Sequence, residues 1–272
     1  MLNVNEWIRC AVFAGLPAGG NPTVVARLST WPSDDVLLAL ASALPAEEVT
    51  FLYRDDGGEI RIRWFGPRGE LPNCGHGALA ATAVMQCGLR GMPSKATVGP
   101  KSVPLALDHS KGLPTIGMAP AMLHERASAS VEIGLPVIRL FDAGRDYLAV
   151  VRDEQTLRAY RPDWDGLMRI GKIGLILSAP GATGVATFRF FAPRAGIPED
   201  TASASVIPAL VKYWFGEAQT HGTFVQCSGQ DVRITARVAG DEVRVSGKVL
   251  ELTRGRFDIA LSTSTDISVH SF

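Results

Sequence analysis

The chain repeats itself once, and that repeat limits its folds more than any other feature. Arg63-Trp64-Phe65-Gly66-Pro67-Arg68 runs through Leu71-Pro72-Asn73-Cys74-Gly75-His76-Gly77 into an apolar segment. Half a chain later, Arg189-Phe190-Phe191-Ala192-Pro193-Arg194 leads through Ile197-Pro198-Glu199-Asp200 and Ser203-Ala204-Ser205 into another. A repeat this long predicts two similar domains, not a stack of short units. Each copy reads as strand, turn, polar loop and buried helix. Glu59 to Phe65 alternates charged and apolar residues, as a half-buried antiparallel strand does. Ala78 to Met85 is apolar all round, as in a helix enclosed by other structure. Ser203 to Phe215, with only Lys212 charged, reads as the second buried helix.

Short strands fill the rest. Glu6–Ala14, Thr23–Leu28, Val49–Tyr53, Ala96–Ala106 and Thr115–Met122 read as extended, and a helix capped by Ser33 ends at Pro45. Gln155–Met168 is a polar connection with helical character. Thr223–Gln226, Asp231–Ala239, Glu242–Gly247 and Val249–Phe257 read as a closing meander. A sheet curled around each apolar helix buries it on all sides and removes exposed edges. The expected fold class is therefore α+β: two pseudo-symmetric domains, each a barrel-like mixed β-sheet around a central apolar helix. The expected division is 1–110, completed by C-terminal strands near 255–272, and 111–254.

The 27 Lys and Arg balance 27 Asp and Glu. That leaves no electrostatic footprint for nucleic acid or an anionic membrane. The uncharged run Ile173 to Phe188 is too short and too broken by Pro180 and glycines to span a bilayer. The opening residues lack a basic and then apolar leader, so a cytoplasmic location is expected. The four cysteines form no CxxC pair, and free thiols are expected.

Chemistry gathers where the two apolar helices begin. A helix N-terminus offers unpaired N–H groups and binds anions. Gly75 and Gly77 allow close approach to the backbone, and Ser203 and Ser205 offer hydroxyls. Asn73, Asp200 and Ser203 serve equally well as ordinary caps. His76, in the first turn, suits acid, base or donor work, or a structural role. Glu48, at the mouth of a strand, would have a raised pKa if partly desolvated and could shuttle a proton; otherwise it is half of a solvated pair with Glu47. Cys74 sits where a thiolate is favoured, or is a small buried residue. Cys10, Cys87 and Cys227 read as structural.

In combination, Gly20-Asn21-Pro22, Glu48-Val49-Thr50-Phe51, the two repeat motifs and Val243-Arg244-Val245-Ser246-Gly247-Lys248-Val249 resemble the PhzF family of phenazine-biosynthesis-like proteins. The resemblance covers nearly the whole chain. It implies the diaminopimelate-epimerase fold and a homodimer. It also implies isomerisation of a small carboxylate by proton shuttling, as with trans-2,3-dihydro-3-hydroxyanthranilate, without metal or organic cofactor. Glu48, His76 and Asp200 would be catalytic; Asn21, Cys74, Gly75, Gly77, Ser203 and Ser205 would bind substrate. Two departures stand out. The family's second loop runs Glu-Asp-Pro, one residue, Thr-Gly-Ser, whereas here Glu199-Asp200-Thr201-Ala202-Ser203-Ala204-Ser205 lacks that Pro and Gly. Cys74-Gly75-His76-Gly77-Ala78 is similar to the first cysteine loop of diaminopimelate epimerases, but Ser203 stands near the place of the second thiol. An epimerase using Cys74 and a non-catalytic carboxylate-binding homologue are the alternative readings.

Overall fold

The computed structural model describes all residues except 1–4, 16–18, 47, 67–68, 73, 89–94, 99–102, 109–111, 129–131, 217–218, 260–266 and 272; the side chains of 86–88, 95, 97–98, 103–108, 258–259 and 267–271 are likewise left aside. Asn73, Glu47 and the Pro67-Arg68 end of the first motif therefore lie outside the described residues, as does the Cys87 side chain. The chain forms two compact units, Met1–Gly117 with Ser246–Phe272, and Met118–Val245.

In chain order the strands are β1 (Glu6–Val12), β2 (Asn21–Leu28), β3 (Val49–Arg54), β4 (Ile60–Gly66), β5 (Gly69–Leu71), β6 (Lys95–Val98), β7 (Val103–Asp108), β8 (Thr115–Met118), β9 (His124–Arg126), β10 (Arg139–Ala143), β11 (Asp146–Val150), β12 (Gly174–Pro180), β13 (Ala186–Ala192), β14 (Ile197–Asp200), β15 (His221–Gln226), β16 (Val232–Ala239), β17 (Glu242–Ser246), β18 (Val249–Ile259) and β19 (Ile267–Ser271). The helices are α1 (Asp34–Ala43), α2 (Gly75–Gly88), α3 (Glu154–Ala159), α4 (Trp164–Arg169) and α5 (Ile207–Trp214).

In the first unit β1 lies between β18 and β2, antiparallel to both. The α1 crossover makes β3 parallel to β2, and β4 then returns antiparallel with Thr50 opposite Trp64. The α2 crossover makes β6 parallel to β4. Strand alternation decides what each helix meets. Val49, Phe51 and Phe65 face α1 and pack with Leu37, Leu40 and Leu44. Residues of opposite parity, Thr50 and Trp64 among them, face the other way. There α2 packs on β1, β2, β3 and β18. Its Leu79, Ala80, Ala81 and Thr82 are fully buried, as its all-round apolar sequence predicts.

The second unit uses the same connections. β11 pairs parallel with β12 across α3 and α4, β12 antiparallel with β13, and β13 parallel with β15 across α5. The repeated arginines take the same role. Arg63 donates through Nε and Nη2 to Glu70 at 2.7 and 2.6 Å; Arg189 does so to Glu199 at 2.7 and 2.8 Å. In each case a motif arginine ties its strand to the short one that follows.

Four details differ from the sequence reading. Ala96–Ala106 is two strands, with Val98 paired to Val103. Ile197–Asp200 is a strand despite Pro198, which stands exposed on it. Gln155–Met168 holds two helices preceded by Asp153 and Asp163, with Pro162 interrupting between them. The second apolar segment opens as a 3₁₀ turn, Ala204–Val206, before α5 begins, and Lys212 stands exposed, so α5 is not enclosed all round as α2 is.

Candidate active site

The chemistry of the first unit meets at one carboxylate oxygen. Cys74 donates its thiol proton to Glu48 Oε2 at 3.1 Å. His76 Nε2 stands 3.2 Å from that same oxygen. Cys74 Sγ lies 3.8 and 3.7 Å from the two ring nitrogens of His76. The backbone explains the convergence. Glu48 ends the loop before β3, and its carbonyl is held by Thr23 Oγ1 at 3.1 Å and the Val24 N–H at 3.4 Å. Cys74 caps α2: its carbonyl accepts from the Ala78 N–H at 2.9 Å, and its sulfur accepts from the Gly77 N–H at 3.3 Å. The thiol thus fills the place a capping hydroxyl takes. Among the described residues, the Gly75 and His76 N–H groups remain without a protein acceptor at the positive helix end.

Burial would raise the Glu48 carboxyl, but His76 and the Cys74 thiol outweigh it and hold the group below its ordinary value. Burial pushes the Cys74 thiol up. Burial opposes charge on His76, yet its contacts with Cys74 and Glu48 hold it well above the ordinary imidazole range. Two expectations are corrected. Glu48 is lowered, not raised, because its neighbours donate to its charged form; Cys74 is raised, not lowered, because its burial outweighs the pull of His76.

Two groups here escaped the sequence reading. Thr50 Oγ1 and Trp64 Nε1 are buried without a hydrogen-bond partner among the described residues. A Cβ on Gly77 would stand 2.5 Å from Thr50 Oγ1, 2.8 Å from Cys74 Sγ and 2.9 Å from Trp64 Cδ1, so α2 can approach only because residue 77 is glycine. Their signal was parity: Thr50 follows Glu48 by two residues and pairs with Trp64. Asn21 is buried at the start of β2, opposite Val12.

The predicted residues of the second unit form their own network. Asp200 accepts from Ser203 Oγ at 2.7 Å and from the Ala202 N–H at 3.3 Å. Gln226 accepts from the Ser203 N–H and donates to the Asp200 carbonyl, both at 2.6 Å. Gln226 was not foreseen; a fully buried amide ending the apolar run Phe224-Val225 was the available hint. These ties fix the loop that lacks proline and glycine. Ser205 accepts from Arg145 at 3.3 Å, and Arg145 is paired with Asp146.

Residues 10–145 match the family model of the phenazine biosynthesis-like proteins. The chain is 29% identical over 260 residues to an uncharacterized isomerase of Pseudomonas aeruginosa, covering 94% of this chain and 99% of that one. It is 31% identical over 208 residues to an uncharacterized isomerase of Vibrio cholerae, covering 75% and 73%. A crystal structure of a PhzF-family phenazine biosynthesis protein from Enterococcus faecalis superposes with a TM-score of 0.84 at 24% identity, covering 92% of this chain and 98% of that one, a likeness of fold. Matched in sequence over half its length and by relatives over most of it, the chain belongs to the PhzF-type family of phenazine-biosynthesis-like proteins.

Proposed function

We propose that this protein is an isomerase that relocates a proton on a small carboxylate, without metal or organic cofactor. The carrying observation is the single oxygen, Glu48 Oε2, engaged by both Cys74 and His76. Glu48 takes the proton from an activated carbon and becomes the neutral acid. The negative charge left on the substrate is stabilised by the His76 imidazolium, and Glu48 then returns the proton to a different carbon. The N–H groups of Gly75 and His76, without a protein acceptor among the described residues, suit the substrate carboxylate, and Gly77 lets the helix end come close. Asn21 is likewise assigned to binding. In the second unit Asp200 is assigned proton or hydrogen-bond exchange with a substrate amine or hydroxyl. Ser203 and Ser205 are assigned to binding.

The test is solvent deuterium uptake. Small amino and hydroxy carboxylates, trans-2,3-dihydro-3-hydroxyanthranilate included, are incubated with the protein in D2O and followed by mass spectrometry. A positioned acid or base is worth about 10²–10⁴ in rate, so Glu48→Gln should lower uptake by that factor. Full uptake in the variant would end the assignment.

The epimerase reading is favoured by one observation, the thiol bonded directly to the base. Cys74→Ser keeps a capping group and removes the thiol. Uptake within a few-fold of wild type is expected; loss of uptake in a folded variant would move the chemistry to Cys74.

A further inference from the structure

We propose that Glu48, Cys74 and His76 bind a thiophilic divalent cation, Zn²⁺ foremost, and that the bound ion shuts off the proton transfer assigned to them. Only the second half rests on the proposed reaction.

The distances carry the first half. With ordinary zinc bond lengths and tetrahedral angles, the sulfur–nitrogen, sulfur–oxygen and nitrogen–oxygen separations are about 3.6, 3.6 and 3.4 Å. Here Sγ–Nε2 is 3.7 Å, Sγ–Oε2 is 3.1 Å and Nε2–Oε2 is 3.2 Å. Three donor atoms already stand close to one face of a tetrahedron. Rotation of the imidazole would turn the Nε2 lone pair onto their common point, and the fourth position is left to water. Thiolate, imidazole and carboxylate together favour zinc and cadmium over magnesium or calcium. Among the described residues no other three His, Cys, Asp or Glu side chains converge in this way. The Glu48 and His76 side chains are 21% and 12% exposed, which gives an ion a way in.

Charge is the second argument. A helix N-terminus repels a cation, so a dication placed there needs compensation. On binding, any protons on the sulfur and on Nε2 leave to solvent, and sulfur, nitrogen and the carboxylate oxygen each give a lone pair to the metal. Thiolate and carboxylate together bring two negative charges, which balance those of the dication at the helix end. With all three groups coordinated, none is available to carry a proton.

The experiment titrates Cd²⁺ and Zn²⁺ into the reduced full-length protein. Cd²⁺ should give a thiolate-to-metal charge-transfer band at one ion per chain. Zn²⁺, read by competition with a chromophoric chelator, should bind at one ion per chain with the release of protons. Cys74→Ser should abolish the band. Glu48→Gln and His76→Asn should weaken binding at least about 10-fold, the lower bound for disturbing a metal site's supporting groups; Cys227→Ser should leave binding unchanged. Circular dichroism identifies any variant that fails to fold, and the remaining ligand variants then decide. No band, a band that survives in Cys74→Ser, or wild-type affinity in both other variants overturns the site. Stoichiometric Zn²⁺ should stop deuterium uptake and EDTA restore it. Zn²⁺ bound through Cys74 with uptake intact overturns the inhibition. A lack of uptake in metal-free protein bears on the reaction alone, since binding is measured without turnover.

Discussion

Gly77 shows how one residue sets the site. Its Cα lies where Thr50, Trp64 and Cys74 leave no room for a methyl group. Gly77→Ala must push α2 away from β3 or displace the thiol that caps it. Overpacking of this kind costs about 1–3 kcal/mol, and chemical denaturation should show a loss in that range. A larger consequence is expected in function, because a shift of the helix end breaks the shared contact at Glu48 Oε2. Unchanged stability together with unchanged deuterium uptake would mean that the helix end is softer than the packing implies. The residues of this site were legible as candidates in the sequence, but their protonation was not. Glu48 and Cys74 read separately as a raised acid and a lowered thiol. Each became the other's environment, with His76 third, and the sense of both shifts reversed. A pKa depends on partners in space, which a list of residues does not contain.

At the scale of elements, the repeat was visible because it is written in strong signals: Arg, aromatic and proline at matched spacing. It extends to matching ion pairs, Arg63 with Glu70 and Arg189 with Glu199. The hairpin at β6–β7 and the strand β14 were missed for a shared reason. β7 and β14 are short runs that each carry a proline, Pro104 and Pro198, which argues against a strand although the partner lies close by in sequence. Caps are local and were easier to read. Asp153 was nonetheless absent from the sequence reading, though it caps α3 by accepting from the Thr156 N–H at 2.7 Å. That backbone bond, the Thr156 side chain and Arg152 push its carboxyl down to about 2 from an ordinary 3.8. A folded pKa below the unfolded one stabilises the protein above about pH 3.8, and that contribution is lost as pH falls through about 2. Carboxyl NMR titration should show Asp153 ionised at pH 3, and Asp153→Asn should flatten the stability–pH curve over this window. Titration at the ordinary aspartate value would show that the cap bond does not persist in solution.

At the scale of the whole molecule, the two units are alike in connection but differ in how the chain builds them. The second is one continuous segment with its own core, in which Leu140, Leu157, Leu175, Leu177 and Phe191 are buried together. The first is assembled from both ends of the chain. β18 pairs along the whole of β1, the Ala14 N–H donates to the Lys248 carbonyl, and Phe257 is buried beside Trp7 and Leu37. β18 also packs against α2, the helix that presents Cys74 and His76. Deleting residues 246–272 would therefore strip one side of α2, open β1 as an edge and remove Phe257 from its core. Loss of one large buried aromatic alone costs about 3–5 kcal/mol, a large share of the 5–15 kcal/mol that holds a typical domain together. The first unit should then lose cooperative folding while the second keeps it. Hydrogen exchange read by mass spectrometry separates the two: amides of β1–β3 and α2 should exchange freely in the truncated chain, while those of β12 and β13 stay protected. Protection retained in α2 would mean that this helix is held by the N-terminal strands alone. Protection lost in both units would mean that the continuous segment, despite its own core, does not stand without the rest of the chain.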